Sequence, residues 1–208
     1  MIPYLVLFLT GFILFIINDY DELLFYFNSN RAAYLSEYFK ISTNLLGGIG
    51  IVFLLIIALL HKYSTLFKIG ITTLVTFLIV ELIKRITNLP RPSTFFANSQ
   101  AITLNPINGV ELLPVRSFPS GHAATGFAIF FGFAILLKNQ FAKFLCLFIA
   151  VGIAISRVYL LQHFTRDILI GSLLGIIITS VIFYIFDKYI FINKSSWYNR
   201  SIFSHTIK

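Results

Sequence analysis

The chain has 208 residues, of which 58% are hydrophobic and only 12% are charged. An average soluble domain is about 45–50% apolar and about 25% charged, so this composition excludes an ordinary soluble protein and indicates an integral membrane protein. The formal net charge of +8 would suggest nucleic-acid binding in a soluble protein. In a membrane protein it fits cytoplasmic loops beside an anionic lipid surface, so we expect the lipid bilayer as a partner and no nucleic acid.

Six apolar runs follow one another along the chain and indicate six transmembrane helices. Helices are expected because the bilayer core holds no water to satisfy the backbone, and the runs lack the alternation of β-barrel strands. We therefore predict an all-α, polytopic membrane protein, with one integral membrane domain over residues 1–208 and a polar tail over 187–208. The runs cover residues 2–17, 45–60, 69–83, 123–137, 141–155 and 168–186.

The first run could be a signal peptide, but it lacks a basic stretch before it and a small-residue cleavage site after it. We interpret it as a retained helix. Residues 18–44 then form an outer segment, in which residues 31–40 are either a short interfacial helix or a plain loop. Six helices place both termini on one side. Eight basic residues lie on each side, and we place the termini in the cytoplasm because several of the opposite cations serve chemistry.

Lys84 and Arg91 mark the first polar segment, at the end of the third run. They are seven residues apart, about two helical turns, so both can face one polar pocket at the membrane surface. The alternative is that both cations only reach for the lipid headgroups from a helix end.

Ser120, Gly121 and His122 form the second polar segment, directly before the fourth run. Proline and glycine make a tight turn here, and a helix N-terminus with a free hydroxyl and free amides is an anion site. His122 adds a proton donor beside it. The alternative is an ordinary capping turn with Ser120 as the N-cap.

Arg157, His163 and Asp167 form the third polar segment, between the fifth and sixth runs. His163 and Asp167 are four residues apart, so they share a helix face if the last helix starts near them, and a carboxylate beside an imidazole fixes its tautomer. An arginine can hold an anion. The arginine, the histidine and the aspartate together suggest histidine chemistry on a phosphate-like group. The alternative is a loop that is polar because it touches water.

All three polar segments emerge on one side of the membrane in the six-helix topology. The alternatives given above for each segment (headgroup contact, a capping turn and a solvated loop) do not explain why the segments share one side. Charged groups that converge at a membrane-embedded face are functional by default. The sequence has no cysteine cluster and no dense set of carboxylates, so we expect no metal ion in this site.

These residues, in this order, resemble the three-part motif of the type 2 phosphatidic acid phosphatase (PAP2) superfamily. The matching stretches are Lys84-x6-Arg91-Pro92, Pro119-Ser120-Gly121-His122 and Ser156-Arg157-x5-His163-x3-Asp167. The resemblance implies a helical-bundle core like that of the soluble vanadium haloperoxidases, with the catalytic part over residues 69–186. Because of its six apolar runs, the chain looks like the bacterial membrane lipid phosphatases of the superfamily.

The resemblance also implies a role for each motif residue. His163 would attack phosphorus and form a phosphohistidine, Asp167 would hold the tautomer of His163, and His122 would protonate the leaving oxygen and later activate water. The implied phosphate-binding residues are Lys84, Arg91, Ser120, Gly121 and Arg157. No cofactor is needed, because three cations supply the positive charge.

The implied function is hydrolysis of a phosphomonoester or diphosphate of a bacterial envelope lipid at the inner membrane, with the site facing the periplasm or exterior. Lipid A and undecaprenyl diphosphate are the first candidates, followed by phosphatidylglycerol phosphate and phosphatidic acid. Residues 93–116, between the first two polar segments, are expected to act as a lid or to read the lipid headgroup. Three alternatives stay open: a lipid phosphotransferase that uses the same phosphohistidine, a non-catalytic lipid-binding protein, and an oxidase that uses bound vanadate.

Overall fold

A computed structural model describes residues 21–44, 48–97, 99, 103–190 and 197–201. These residues form eight α-helices and an isolated β-bridge between Pro90 and Val115, so the prediction of an all-α protein is confirmed. The helices are α1 (Glu22–Ser29), α2 (Ala33–Asn44), α3 (Gly48–His61), α4 (Tyr63–Thr87), α5 (Pro92–Phe95), α6 (Gly121–Leu136), α7 (Gln140–Tyr159) and α8 (Thr165–Ile185). A π-helical turn, Phe186–Ile190, extends α8, and a 3-10 turn covers Trp197–Asn199.

Among the described residues, three helices are long and apolar enough to cross a bilayer: α4, α7, and α8 with its π-helical turn. Helices α3 and α6 also coincide with apolar runs, but they have 14 and 16 residues, whereas a span needs about 20. The run over residues 2–17 lies outside the described residues. The protein is therefore confirmed as a membrane protein with several spans, and the number six stays a prediction.

Helix α6 is the centre of the bundle, because it packs against α4, α7 and α8. Apart from His122 and Thr125, its side chains are apolar around the whole circumference, which is typical of a buried helix. Phe127, Ile129 and Phe131 are all at most 4% exposed. This packing fixes the first turn of α6, which carries the second polar segment, relative to the other helices.

Helix α8 comes very close to α6 because Gly171 and Gly175 lie at their contact. A Cβ atom on Gly171 would lie 2.5 Å from the carbonyl oxygen of Ser120, and one on Gly175 would lie 2.3 Å from that of Ala124. Only glycine allows such an approach, and small residues four apart are a common means of close helix packing in membranes. The contact brings the first turns of α6 and α8 together.

The outer segment forms helices rather than a plain loop. Helix α2 covers most of residues 31–40, for which both interpretations were open, and it packs against α7. The ring of Tyr159 lies 4.6 Å from that of Phe39 and 5.2 Å from that of Phe27, measured between centroids. Asn28, in α1, accepts a hydrogen bond from the backbone N–H of Asn105 at 2.8 Å. The outer segment is thereby joined both to α7 and to the segment before α6.

Candidate active site

The three polar segments meet at one end of the bundle, where α4 ends, α6 begins and the chain turns from α7 into α8. The backbone N–H of Ser120 donates to the carbonyl oxygen of Asp167 at 2.9 Å, which joins the second segment to the third. A Cβ atom on Gly121 would lie 4.0 Å from Cε of Lys84, which places the second segment beside the first. The convergence expected from the topology is therefore present in the structure.

His163 and Asp167 form a buried pair at the centre of this site, with 1% and 0% of their surfaces exposed. Nδ1 of His163 lies 3.5 Å from Oδ2 of Asp167. The same carboxylate oxygen accepts hydrogen bonds from the hydroxyl of Ser117 and from the backbone N–H of Phe164. Asp167 is therefore fixed from two sides, and it faces the Nδ1 side of the His163 ring.

The pair does not lie on one helix face, so that part of the sequence argument is wrong. Helix α8 begins at Thr165, after His163. Asp167 reaches back to cap the helix at Phe164, and this cap brings its carboxylate to the imidazole. The turn before it is held by the carbonyl oxygen of Arg157, which accepts the N–H groups of Gln162 and His163 at 2.9 and 3.2 Å.

Burial and positive charge favour the neutral form of the His163 imidazole. Burial lowers the pKa of His163 well below its usual value, because the charged form loses its hydration. The positive charges of Arg91, Arg157 and Lys84 lower this pKa further. A neutral imidazole has a free lone pair, which is the form that a nucleophile requires.

Arg91 is 5% exposed and is held by carbonyl oxygens. Its Nε donates to the carbonyl oxygen of Val115 at 3.0 Å, and its Nη1 donates to the backbone and side-chain oxygens of Gln162 at 3.1 and 2.7 Å. The two-turn helical spacing expected between Lys84 and Arg91 is wrong, because α4 ends at Thr87 and Arg91 follows in extended backbone.

Lys84 lies in the last turn of α4 and still reaches the site. Its Nζ donates to the carbonyl oxygen of Arg116 at 3.1 Å. The alternative in which Lys84 only reaches for lipid headgroups does not fit this contact, because the ammonium group donates to a backbone carbonyl in the segment before α6.

Arg157 is 9% exposed and makes a contact with the outer segment. Its Nη1 donates to the hydroxyl oxygen of Thr43, in α2, at 2.6 Å. Its Nε is buried without a hydrogen-bond partner among the described residues. A buried guanidinium with unused donors is a candidate to receive an anion.

Ser120 is the N-cap of α6, as the capping alternative proposed: its hydroxyl oxygen accepts the backbone N–H of Ala123 at 3.4 Å. A cap does not exclude anion binding, since the hydroxyl hydrogen can still donate and the amides of the first helical turn face outward. His122 is the second residue of α6 and lies within electrostatic reach of His163 and Arg157. The structure thus brings all eight sequence-predicted residues to one end of the bundle.

Sequence reasoning missed three residues that contact this site: Thr43, Ser117 and Gln162. Ser117 lies near Ser120 in the sequence but donates to Asp167, 50 residues away. Gln162 directly precedes His163 and contacts Arg91, 71 residues away. Nothing in the local pattern distinguishes these side chains from ordinary polar residues.

The family model of the PAP2 superfamily matches residues 65–191, which is more than half of the chain. Phosphatidylglycerophosphatase B of Haemophilus influenzae is 42% identical over 89 residues, covering 38% of this chain and 36% of that protein. The bacitracin transport permease protein BcrC of Bacillus licheniformis is 34% identical over 79 residues, covering 38% of each. The chain thus matches little more than a third of the length of these curated relatives.

Two crystal structures share the fold. Aquifex aeolicus LpxE matches with a TM-score of 0.68 and 27% identity, covering 79% of this chain and 94% of that one. A transmembrane PAP2-type phosphatidylglycerolphosphate phosphatase from Bacillus subtilis matches with a TM-score of 0.66 and 22% identity, covering 93% of this chain and 100% of that one. Together with the family match, these similarities show that the chain belongs to the PAP2 superfamily and has its transmembrane fold.

Proposed function

We propose that the protein is a membrane-embedded lipid phosphatase that hydrolyses a phosphomonoester or diphosphate of a bacterial envelope lipid through a phosphohistidine intermediate. The observation that carries the proposal is the buried imidazole of His163, which lies beside the Asp167 carboxylate and within electrostatic reach of three cations. Membership of the PAP2 superfamily, a family of phosphatases, supports the same chemistry.

In the first step, Nε2 of His163 attacks the phosphorus and the bond from phosphorus to the lipid oxygen breaks. His122 gives its proton to that leaving oxygen as general acid. In the free protein burial and the neighbouring cations lower the pKa of His122 to about 3, so this proton is taken up together with the anionic substrate, whose charge offsets those cations. Asp167 stabilises the positive charge that develops on the His163 ring. Lys84, Arg91 and Arg157 stabilise the charge on the phosphoryl oxygens, together with the Ser120 hydroxyl and the Gly121 amide.

In the second step, a water molecule attacks the phosphohistidine. His122, now neutral, accepts a proton from that water as general base, and the phosphorus–nitrogen bond breaks. This step releases inorganic phosphate and restores His163. The lipid has already left in the first step, with a free hydroxyl group if the substrate is a phosphomonoester and as a lipid monophosphate if it is a diphosphate. Covalent catalysis in two steps replaces one difficult displacement by two easier ones.

The substrate class remains the set expected from the sequence: lipid A or undecaprenyl diphosphate first, then phosphatidylglycerol phosphate or phosphatidic acid. The relatives named as phosphatidylglycerophosphatases support keeping the third of these in the set. We place the protein in the bacterial inner membrane with cytoplasmic termini and the site facing the periplasm or exterior. The reaction requires no metal, because three cations provide the positive field.

The test is phosphate release by the purified protein in detergent, with a chelator present, from these four lipids in parallel. We expect release from at least one lipid, no release by His163→Ala, and normal release by the control His61→Ala, which lies at the end of α3. Release that needs a divalent metal would contradict the mechanism. Release by His163→Ala at the wild-type rate would contradict it as well.

The covalent intermediate has its own test. Protein incubated with a lipid labelled in its phosphate and quenched in alkali, in which phosphohistidine is stable, should carry label that is lost on acidification. The label should be absent from His163→Ala. If the label passes to an added acceptor lipid instead of water, the protein is the phosphotransferase rather than the hydrolase.

A further inference from the structure

The side chain of Arg91 is oriented by three hydrogen bonds from two of its three guanidinium nitrogens. Nε donates to the Val115 carbonyl oxygen, and Nη1 donates to both oxygens of Gln162. None of the hydrogen bonds between described residues uses Nη2. Nη2 is therefore the remaining donor nitrogen of the group, and its direction depends on Val115 and Gln162.

Gln162 is 3% exposed and uses both ends of its amide. Oε1 accepts from Nη1 of Arg91 at 2.7 Å, and Nε2 donates to the carbonyl oxygen of Glu111 at 2.6 Å. Glu111 belongs to the segment between the first two polar segments. The side-chain amide of Gln162, in the third polar segment, thus contacts both the first polar segment at Arg91 and the segment over residues 93–116 at Glu111.

The neutrality of this amide matters for the charge of the site. A carboxylate at the same place would form an ion pair with Arg91 and would cancel much of the charge that the guanidinium offers to an anion. An apolar side chain would leave the Glu111 carbonyl and one Arg91 donor without a buried partner. Glutamine is the residue that supplies an acceptor to Arg91 and a donor to Glu111 without adding charge.

We propose that Gln162 is a positioning residue for phosphate recognition: its amide holds the Arg91 guanidinium with Nη2 toward the site and ties it to the chain at Glu111. This inference rests on the proposed function, in which Arg91 binds the phosphoryl group. It assigns a role to a residue at an unspecified position of the third motif stretch, directly before His163, and it predicts that Gln162 acts on substrate through Arg91 alone.

The first test compares Gln162→Met with wild type, with Gln140→Met on the exposed start of α7 as the matched control. We expect kcat/KM to fall about tenfold and the inhibition constant of inorganic phosphate to rise by a similar factor, which corresponds to ~1.4 kcal/mol. The melting temperature in detergent should stay within a few degrees of wild type. Unchanged kinetics in a folded Gln162→Met protein would overturn the proposal.

The second test is a double-mutant cycle with Arg91→Lys, which keeps the charge but lacks the planar donors. If Gln162 acts through Arg91, Gln162→Met should lower kcat/KM by less than about twofold in the Arg91→Lys background. A further loss of about tenfold there, as in the wild-type background, would show an independent role and would overturn the proposal.

A third variant, Gln162→Glu, keeps the size of the side chain and guards against misfolding of the methionine variant. We expect it to lose more activity than Gln162→Met, because its carboxylate pairs with Arg91. A folded glutamate variant with wild-type kinetics would overturn the requirement for a neutral amide.

Calorimetric titration with orthovanadate separates this inference from the proposed function. If the wild type releases no phosphate from any lipid but binds vanadate more tightly than Gln162→Met does, the proposed function fails and the positioning role stands. If the wild type hydrolyses lipid and both proteins bind vanadate equally, the positioning role fails and the function stands.

Discussion

Oδ2 of Asp167 lies 3.5 Å from Nδ1 of His163, and both groups are almost completely buried. The carboxylate also accepts from Ser117 and Phe164, so its position is set by its own helix cap and by the segment before α6. The imidazole therefore faces a carboxylate that is itself fixed, and a carboxylate beside Nδ1 favours the tautomer with a free Nε2.

Asp167→Asn should lower kcat strongly and leave KM nearly unchanged. The amide keeps the size of the carboxylate but can present an N–H to Nδ1, which favours the wrong tautomer and leaves the developing imidazolium without its counter-charge. In a comparable triad the same change costs about 10⁴-fold in kcat, so we expect a loss of at least about a hundredfold. Steady-state kinetics on the preferred lipid provides the measurement.

Asp187→Asn is the matched control, because Asp187 pairs with Lys68 at the opposite end of α8. Its kcat should stay within about twofold of wild type. A kcat for Asp167→Asn as high as that of this control would remove Asp167 from the mechanism.

Thr43→Val should weaken catalysis although Thr43 lies outside the stretch that matches the family. The substitution keeps the shape of the side chain but removes the oxygen that accepts Nη1 of Arg157. A hydrogen bond to a charged group contributes about 1.5–3 kcal/mol, and a loss near the lower value gives about a tenfold fall in kcat/KM. Thr73→Val, whose hydroxyl bonds only within α4, is the control, and equal kinetics of the two variants would contradict the prediction.

Much of the fold and the motif could be predicted because both rest on local patterns. Membrane helices follow from hydropathy summed over short windows, so five of the six apolar runs coincide with α3, α4, α6, α7 and α8. The motif residues carry the site chemistry itself, and they lie at a few short spacings. The ends of the helices are harder to predict, since the cap at Phe164 depends on the side chain of Asp167 and the end of α4 at Thr87 depends on the left-handed backbone of Asn88.

The contacts that support the motif could not be predicted, because they join residues far apart in sequence. Thr43 and Arg157 are 114 residues apart, and Gln162 and Glu111 are 51 residues apart. Such pairs exist only after the helices have packed. Gly171 and Gly175 are different: glycines four apart in an apolar helix are a known sign of close packing, and this signal was present in the sequence.

Lys84→Met should move the acidic limb of the pH profile to higher pH. In the free protein burial and three cations lower the pKa of His163, so the imidazole stays neutral as the pH falls through its ordinary value. Without the Lys84 charge this pKa rises, and the nucleophile is protonated at a higher pH. The measurement is kcat/KM from about pH 3 to pH 8, which extends below the usual titration range of histidine because the pKa of His163 is lowered.

Lys138→Met, at an exposed position between α6 and α7, is the control for this profile. It also removes one positive charge but should leave the acidic limb in place. A limb that stays fixed in Lys84→Met, or moves to lower pH, would show that Lys84 does not act on the nucleophile.

A cysteine at Asn105 should react with an impermeant thiol reagent in intact cells if the site faces outward. Asn105 has an exposed side chain, and only its backbone N–H takes part in the contact with Asn28. The natural Cys146 is half-buried and should first be replaced by alanine. Labelling only after the membrane is opened would reverse the proposed orientation, and a cysteine at Lys138 provides the opposite control.

Gly175→Ala should destabilise the bundle, because the added Cβ would lie 2.3 Å from the carbonyl oxygen of Ala124 and 2.9 Å from the amide nitrogen of Ala128. Both atoms belong to the backbone of α6, so the two helices must separate. Overpacking of this kind costs about 1–3 kcal/mol of the free energy of unfolding. We expect a lower melting temperature in detergent.

Gly152→Ala in α7 is the matched control, since its Cβ would lie 3.7 Å from the hydroxyl of Tyr38, an ordinary contact. It should be neutral or stabilising, because alanine is favoured over glycine in helices by about 1 kcal/mol. Gly171→Ala should in addition lower activity, because its Cβ would meet the carbonyl oxygen of Ser120 and push apart the two helix starts that carry Ser120 and Asp167. Equal melting temperatures for Gly152→Ala and Gly175→Ala would mean that the close contact between α6 and α8 does not hold the site together.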